Sequence, residues 1–163
     1  MKRLIFATIV VGVLAGMLHA AEKKMSTYQT VEINAPAEKV WAILVDANNW
    51  AQDNPTVKES KLIEGDGEQV GSVIKCTLVV GGKKARPKFT VSISEKYKKL
   101  EYTIDLAMVE GVTGFTLEEK DGITKLTNYE IASGALLKFI KQQDMDTEHL
   151  EWANSVKRRA ETK

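Results

Sequence analysis

Residue types that carry chemistry are sparse in this chain. Its two histidines, His19 and His149, and its single cysteine, Cys76, do not supply the three or four clustered ligands that a zinc site needs. No phosphate-cradling glycine loop and no nucleophile elbow occurs, so neither a metal nor a cofactor is expected. General acid–base work needs a titratable group held in a pocket, and the candidates for it are Tyr102, Glu130 and Lys58. Tyr102 alternates with Leu100 and Ile104, and a buried phenol must find a hydrogen-bond partner, which makes it a polar handle in an apolar wall. Lys58 shares strand parity with Ser60 and Leu62, although a lysine is rarely buried unless paired and open solvent is its plainer fate. Asn128 shares parity with Leu126: as a buried amide it would orient a ligand, as an edge residue it would do nothing. Phe89, Val91 and Ile93 form one apolar parity, and Phe115 is another inward-facing aromatic. Each is either ordinary core or pocket wall. His149, set among Glu148 and Glu151, reads as part of a solvated helix face. Cys76 lies in an apolar run and reads as a buried, inert thiol. The runs Lys96-Tyr97-Lys98-Lys99 and Glu118-Glu119-Lys120-Asp121 read as solubilising charge beside turns.

These residues need a scaffold, and 163 residues provide one domain of ordinary size. A composition of 44% hydrophobic and 28% charged residues is globular rather than disordered. Lysine and arginine total 23 against 22 acids, a net of +1, with no basic stripe, so no nucleic-acid partner is expected. One cysteine cannot close an internal disulfide, so the core must stabilise the domain by itself.

Residues 1–20 open with Lys2-Arg3, continue through an apolar stretch from Leu4 to Leu18, and end His19-Ala20 before Ala21. That order is the pattern of a cleaved secretory signal, with the cut after Ala20 or Ala21 and a periplasmic or secreted product. An uncleaved N-terminal anchor is the alternative. Losing Lys2 and Arg3 leaves 21 bases against 22 acids, a net of −1.

Residues 21–27 read as a polar leader before a domain spanning 28–163. Alternation over 28–34 predicts a strand. Ala35-Pro36 then opens a short helix striped by Val40, Trp41, Leu44 and Val45, and a second short turn around Trp50 stops before Pro55. Six further strands follow at 57–64, 70–80, 89–94, 100–106, 112–118 and 124–131, punctuated by Gly65-Asp66-Gly67, Gly81-Gly82 and Asp121-Gly122. After Ser133-Gly134 a long helix is predicted on Leu136, Ile140, Gln143, Leu150, Ala153, Val156 and Ala160, with a kink or break near Asp146. The expected architecture is α+β: a seven-stranded curved antiparallel sheet gripping a long C-terminal helix, with two short helices after strand 1. A helix held against a concave sheet is expected to leave an internal cavity.

The block Val31-Glu32-Ile33-Asn34-Ala35-Pro36-Ala37-Glu38-Lys39-Val40-Trp41 carries a resemblance, with support from several shorter features. These are Trp50 before Pro55, Gly65 before Val70-Gly71, Gly81-Gly82, Leu100-Glu101-Tyr102 and the ending 156–161. On these residues the chain resembles the START-like (SRPBCC) superfamily that includes polyketide cyclases and dehydrases, over roughly residues 28–160. The resemblance implies a helix-grip, Bet v 1-like fold around an apolar pocket holding a small apolar or amphipathic molecule. Some members catalyse cyclisation or dehydration and others are accessory proteins. In layout and leader the chain is also similar to an exported accessory family of periplasmic methanol oxidation, so an exported protein partner stays open. In the hormone-receptor branch a lysine that meets a ligand carboxylate falls near Lys58, one pocket acid near Asn128 and another on Phe89. Strand parity and the resemblance together give a ligand set of Lys58, Phe89, Val91, Tyr102, Phe115 and Asn128. If Lys58 and Asn128 both face inward, the ligand is expected to carry an acidic or carbonyl group, and the scarcity of catalytic residue types puts binding ahead of catalysis.

Overall fold

The computed structural model describes residues 23–80 and 82–162; the leader pattern at 1–20 lies outside the described residues. The first strand, β1 (Lys24–Ile33), begins within the stretch expected to be a polar leader. It is a strand from Lys24 because Met25 and Thr27 point inward and are buried, extending the alternation that the sequence shows from Tyr28. Helix α1 (Ala37–Leu44) follows Pro36, whose extended backbone starts it without spending a helical hydrogen bond. The freed Ala37 N–H donates to Glu119 at 2.8 Å, so one of the acids expected merely to solubilise a turn caps a helix. A single 3-10 turn (Ala47–Asn49) leads into α2 (Trp50–Asp53).

Strands β2 (Val57–Glu64), β3 (Val73–Val80), β4 (Lys83–Ala85), β5 (Lys88–Glu95), β6 (Lys99–Leu106), β7 (Val109–Lys120) and β8 (Ile123–Ser133) follow without an intervening helix. All pair antiparallel in the order β1-β8-β7-β6-β5-β3-β2, with the three-residue β4 hooked onto β3. The sheet thus has eight strands rather than seven. The extra one forms because the Gly82 turn, at φ 76°, folds Lys83–Ala85 back on Leu78–Val80. The third strand starts at Val73 rather than Val70, which stays exposed beyond the bend at Gly71.

The expected long helix splits. Ala135–Phe139 is a 3-10 turn and α3 (Gln142–Glu161) is continuous, so the break precedes Gln142 and Asp146 lies inside the helix. Its buried positions, Met145, His149, Trp152, Ala153, Val156 and Ala160, repeat at four and three residues. Ala153, Val156 and Ala160 lie on the expected stripe, whereas Gln143 and Leu150 are outside and His149, expected in solvent, is 3% exposed. α3 is tied to β1 by Gln142 Nε2 donating to the Ser26 carbonyl, Lys157 Nζ to the Glu32 carbonyl, and Asn34 N–H to Glu161. The main core lies between sheet, α1, α2 and α3. A smaller apolar cluster of Met25, Val109, Ala132, Leu137 and Met145 closes the other end. Among the described residues no helix is long and apolar enough to cross a membrane.

Candidate functional site

Cross-strand neighbours share a face of the sheet, so the register places the interior side chains. Val91 pairs with Tyr102, Tyr102 with Thr113 and Thr113 with Glu130; one row along, Leu100 pairs with Phe115 and Phe115 with Asn128. The face these rows share is the covered one, since Val91, Tyr102, Phe115 and Asn128 are each at most 1% exposed. Phe89 lies on it too, at the edge of burial. The structure therefore brings five of the six expected ligand residues onto one buried surface. Ile93 does not follow its expected parity. A bulge after Val91 pairs Ile93 with Glu101 and turns it away from the row that holds Phe89 and Val91.

Lys58 is the exception among the six. It is exposed, and its ammonium donates to the Pro55 carbonyl at 2.9 Å. The parity argument fails here because of another bulge: Val57 pairs with Leu78 and Glu59 with Thr77, which leaves Lys58 unpaired and turned outward. Ser60 and Leu62 do keep their inward parity. Ser60 pairs with the buried Cys76, and Leu62 packs on the core. No interior lysine is present to meet a ligand acid among these residues.

The space beneath the helix is filled by aromatic rings rather than left open. Trp50, held by its Nε1–H donating to the Leu44 carbonyl at 3.0 Å, meets Phe89, Tyr102 and Trp152 edge-on at centroid distances of 6.0, 5.2 and 5.7 Å. Trp152 in turn stands edge-on to Phe115 at 4.9 Å. The two clearest concavities are both open to solvent. One, about 430 Å³, runs between Pro55-Thr56 and the Gln143–Glu151 side of α3; the other, about 300 Å³, lies around 104–110 and Ser133-Gly134. Buried Asp53 pairs with Arg159, which also reaches Asp46 at 3.7 Å, and closes the α2 side.

Polar atoms interrupt this interior. The side-chain atoms Tyr102 Oη, Ser60 Oγ, Asn128 Oδ1 and His149 Nε2 are buried without a hydrogen-bond partner, as is Asp53 Oδ1 on α2. Burial, with Cys76 nearby as a lesser cause, pushes the Tyr102 phenol far above its ordinary range, so it stays a neutral donor. Burial likewise pushes the Cys76 thiol up to about 12, which leaves it inert as expected. Asn128 and His149 meet across the helix–sheet interface: Asn128 Nδ2 donates to the His149 carbonyl at 3.1 Å. His149 Nε2 lies 3.5 Å from Glu130, which follows Asn128 on the same inner face of β8. Burial alone would lower the His149 pKa, but Glu130, then Glu148 and the Met145 carbonyl, hold it above the ordinary value. Glu148 accepts from Thr56 Oγ1 at 2.6 Å and Asn54 Nδ2 at 3.3 Å, and burial raises its pKa. His149 is the site residue that sequence reasoning missed. Its signal was the four-three spacing Met145, His149, Trp152, Val156, which outranks the flanking glutamates. No group of three His, Cys, Asp or Glu side chains is arranged to hold a metal among the described residues.

Comparison with known proteins agrees with this architecture. The family described as polyketide cyclase / dehydrase and lipid transport matches residues 24–158. No curated protein matches the chain. Among solved structures it is similar to the Zhui aromatase/cyclase from Streptomyces sp. R1128, at 16% identity over 85% of this chain and 94% of that one, TM-score 0.69. A START superfamily protein from Mycobacterium smegmatis is similar at 16% identity, 83% and 97% coverage and TM-score 0.69. Ara h 8.0201 is similar at 19% identity, 85% and 98% coverage and TM-score 0.64. At these identities the likeness is one of fold.

Proposed function

Because the chain belongs to the polyketide cyclase / dehydrase and lipid transport family, we propose that it binds a small amphipathic molecule between the inner face of the sheet and α3. One observation carries this reading: Tyr102, Ser60, Asn128 and His149 bury polar atoms without partners in a wall otherwise made of aromatic and aliphatic side chains. Leaving such an atom unmade costs about 1–3 kcal/mol, and a ligand with a few polar groups on an apolar body would satisfy them. Entry requires Trp152 to swing away from Trp50 and Phe115, since these rings occupy the space the body would take. Native mass spectrometry and solvent extraction of the purified full chain test the reading. A bound small molecule, or saturable uptake of naphthalene that quenches tryptophan fluorescence, is the expected result. Neither appearing at high micromolar probe overturns it.

The Glu130–His149 contact favours a second reading, acid–base catalysis of a cyclisation or dehydration, with Tyr102 as a neutral donor. It requires the bound molecule to be recovered chemically changed after incubation; recovery unchanged across pH 5–9 argues against it. Export is the third part of the proposal. It is supported by the basic, apolar and small-residue order of 1–20, and an N-terminus beginning at Ala21 or Glu22 in the mature protein is its expected mark. A mature protein that retains the first 20 residues overturns cleavage.

A further inference from the structure

The polar corner formed by Asn128, Glu130 and His149 has a definite chemical preference. Asn128 is fixed in orientation: its Nδ2 is spent on the His149 carbonyl, so its Oδ1 points elsewhere, fully buried and without a donor. His149 Nδ1 lies 3.0 Å from the Met145 carbonyl, which can only accept, so that nitrogen carries a hydrogen. Its Nε2 then either presents a bare lone pair or, as imidazolium, faces Glu130 at 3.5 Å, too long or too oblique for a hydrogen bond. Glu130 adds two more acceptor oxygens. Among the described residues, no lysine or arginine lies within ion-pair distance of Glu130 or Glu148. Arg159 is paired with Asp53 and Asp46, and Lys58 donates to the Pro55 carbonyl on the outside.

A carboxylate head placed in this corner would press its oxygens against the Asn128 oxygen and the Glu130 carboxylate, with at most one imidazolium to share. A head carrying O–H or N–H would instead satisfy the orphaned acceptors. Phe115, the cross-strand neighbour of Asn128, and Trp152 beside it offer the adjoining surface for an apolar body. Resting on the binding reading above, we propose that the Asn128–Glu130–His149 corner receives the hydrogen-bond-donating head of the ligand, a hydroxyl, phenol or amine, and selects against carboxylates. This reverses the ligand acid that an inward Lys58 would have demanded.

Calorimetric titration of the purified full chain at pH 8 with four matched probes tests this: naphthalene, 2-naphthol, 2-naphthylmethylamine and 2-naphthoate. The expected result is that naphthol or the amine binds about tenfold more tightly than naphthoate. Asn128→Leu should bring naphthol and naphthoate to within about twofold. A preference below threefold, naphthoate binding the tighter, or a preference untouched by Asn128→Leu overturns the inference while the binding reading stands. Binding by none of the four, naphthalene included, overturns both. If Asn128→Leu does not fold, Glu130→Gln carries the test, since this side chain reaches the surface. It should cut the advantage of the amine over naphthoate at least threefold, and an unchanged advantage overturns the inference.

Discussion

Around Trp50 the interior is closed mainly by shape: four rings stand edge to face, the indole N–H is spent on Leu44, and buried Asp53 has Arg159, although Tyr102 Oη and Asp53 Oδ1 stay without partners. Around Asn128, one strand beyond Phe115, the same wall is left open in valence: acceptors outnumber donors and, among the described residues, no ammonium or guanidinium lies within ion-pair distance of Glu130. The first region gains its stability from area and dispersion, which are indifferent to what lies on the far side. The second loses stability to unsatisfied atoms and recovers it only when something with the right hydrogens arrives. A binding protein needs both, one end to hold the fold and one end to discriminate.

The largest expected effect breaks the closed end. Phe115→Ala or Trp152→Ala should cost about 3–5 kcal/mol in guanidinium unfolding, the range for removing a buried ring. Trp152→Ala should also bind naphthalene more tightly, because the ring it removes occupies the body's space. A loss under about 1 kcal/mol would show that the rings are not core. The next effect concerns charge at the same end. Arg159→Leu leaves Asp53 buried and unpaired and should cost toward the lower end of about 3–5 kcal/mol, since the guanidinium is itself a third exposed. Adding Asp53→Leu should return much of that loss, and a double variant no better than the single one would contradict the pairing argument.

Much of this contrast was legible in the sequence, though unevenly. Alternation fixed the inward faces of β5 to β8 well enough to place Phe89, Val91, Tyr102, Phe115 and Asn128 together, because long strands with one buried face have little freedom of register. Bulges removed Lys58 and Ile93 from that surface, and a bulge has no signature in a single chain beyond the pattern it breaks. The helix phase at His149 was readable, but flanking glutamates suggested solvent where burial beside Glu130 was the outcome. The filling of the interior was not readable at all. Periodicity says which way Trp50 and Trp152 point, but not that the two rings meet over Phe115 and Tyr102.

A smaller effect sharpens the open end through pH. With its folded pKa held above the ordinary value of about 6.5, His149 stabilises the fold below that pH, and the contribution is lost as pH rises through the folded value. The difference in unfolding free energy between wild type and His149→Gln should therefore be level in acid and shrink toward alkaline pH. Glu148 titrates differently in the variant, because the imidazolium that lowers its pKa is gone, so the comparison is read on the alkaline side, where both carboxylates are ionised. A difference that stays level from pH 5 to pH 9 would mean that the imidazole does not titrate against Glu130.

The smallest effect is the one that separates the two accounts of the ligand. An inward Lys58 would be the acid-reading group, and its replacement by methionine would then weaken naphthoate relative to naphthol. With the side chain turned out by the bulge between Val57 and Glu59, its ammonium donates to the Pro55 carbonyl three residues back. That bond competes with water for the same ammonium and holds no element in place. Lys58→Met should therefore leave the unfolding midpoint and all four naphthyl affinities within experimental error of wild type. Asn128→Leu, two strands into the protected face, should by contrast collapse the preference between naphthol and naphthoate. A Lys58→Met variant that loses affinity for naphthoate alone would return the ligand acid to this protein and move its head from the Asn128 corner to the β2 edge.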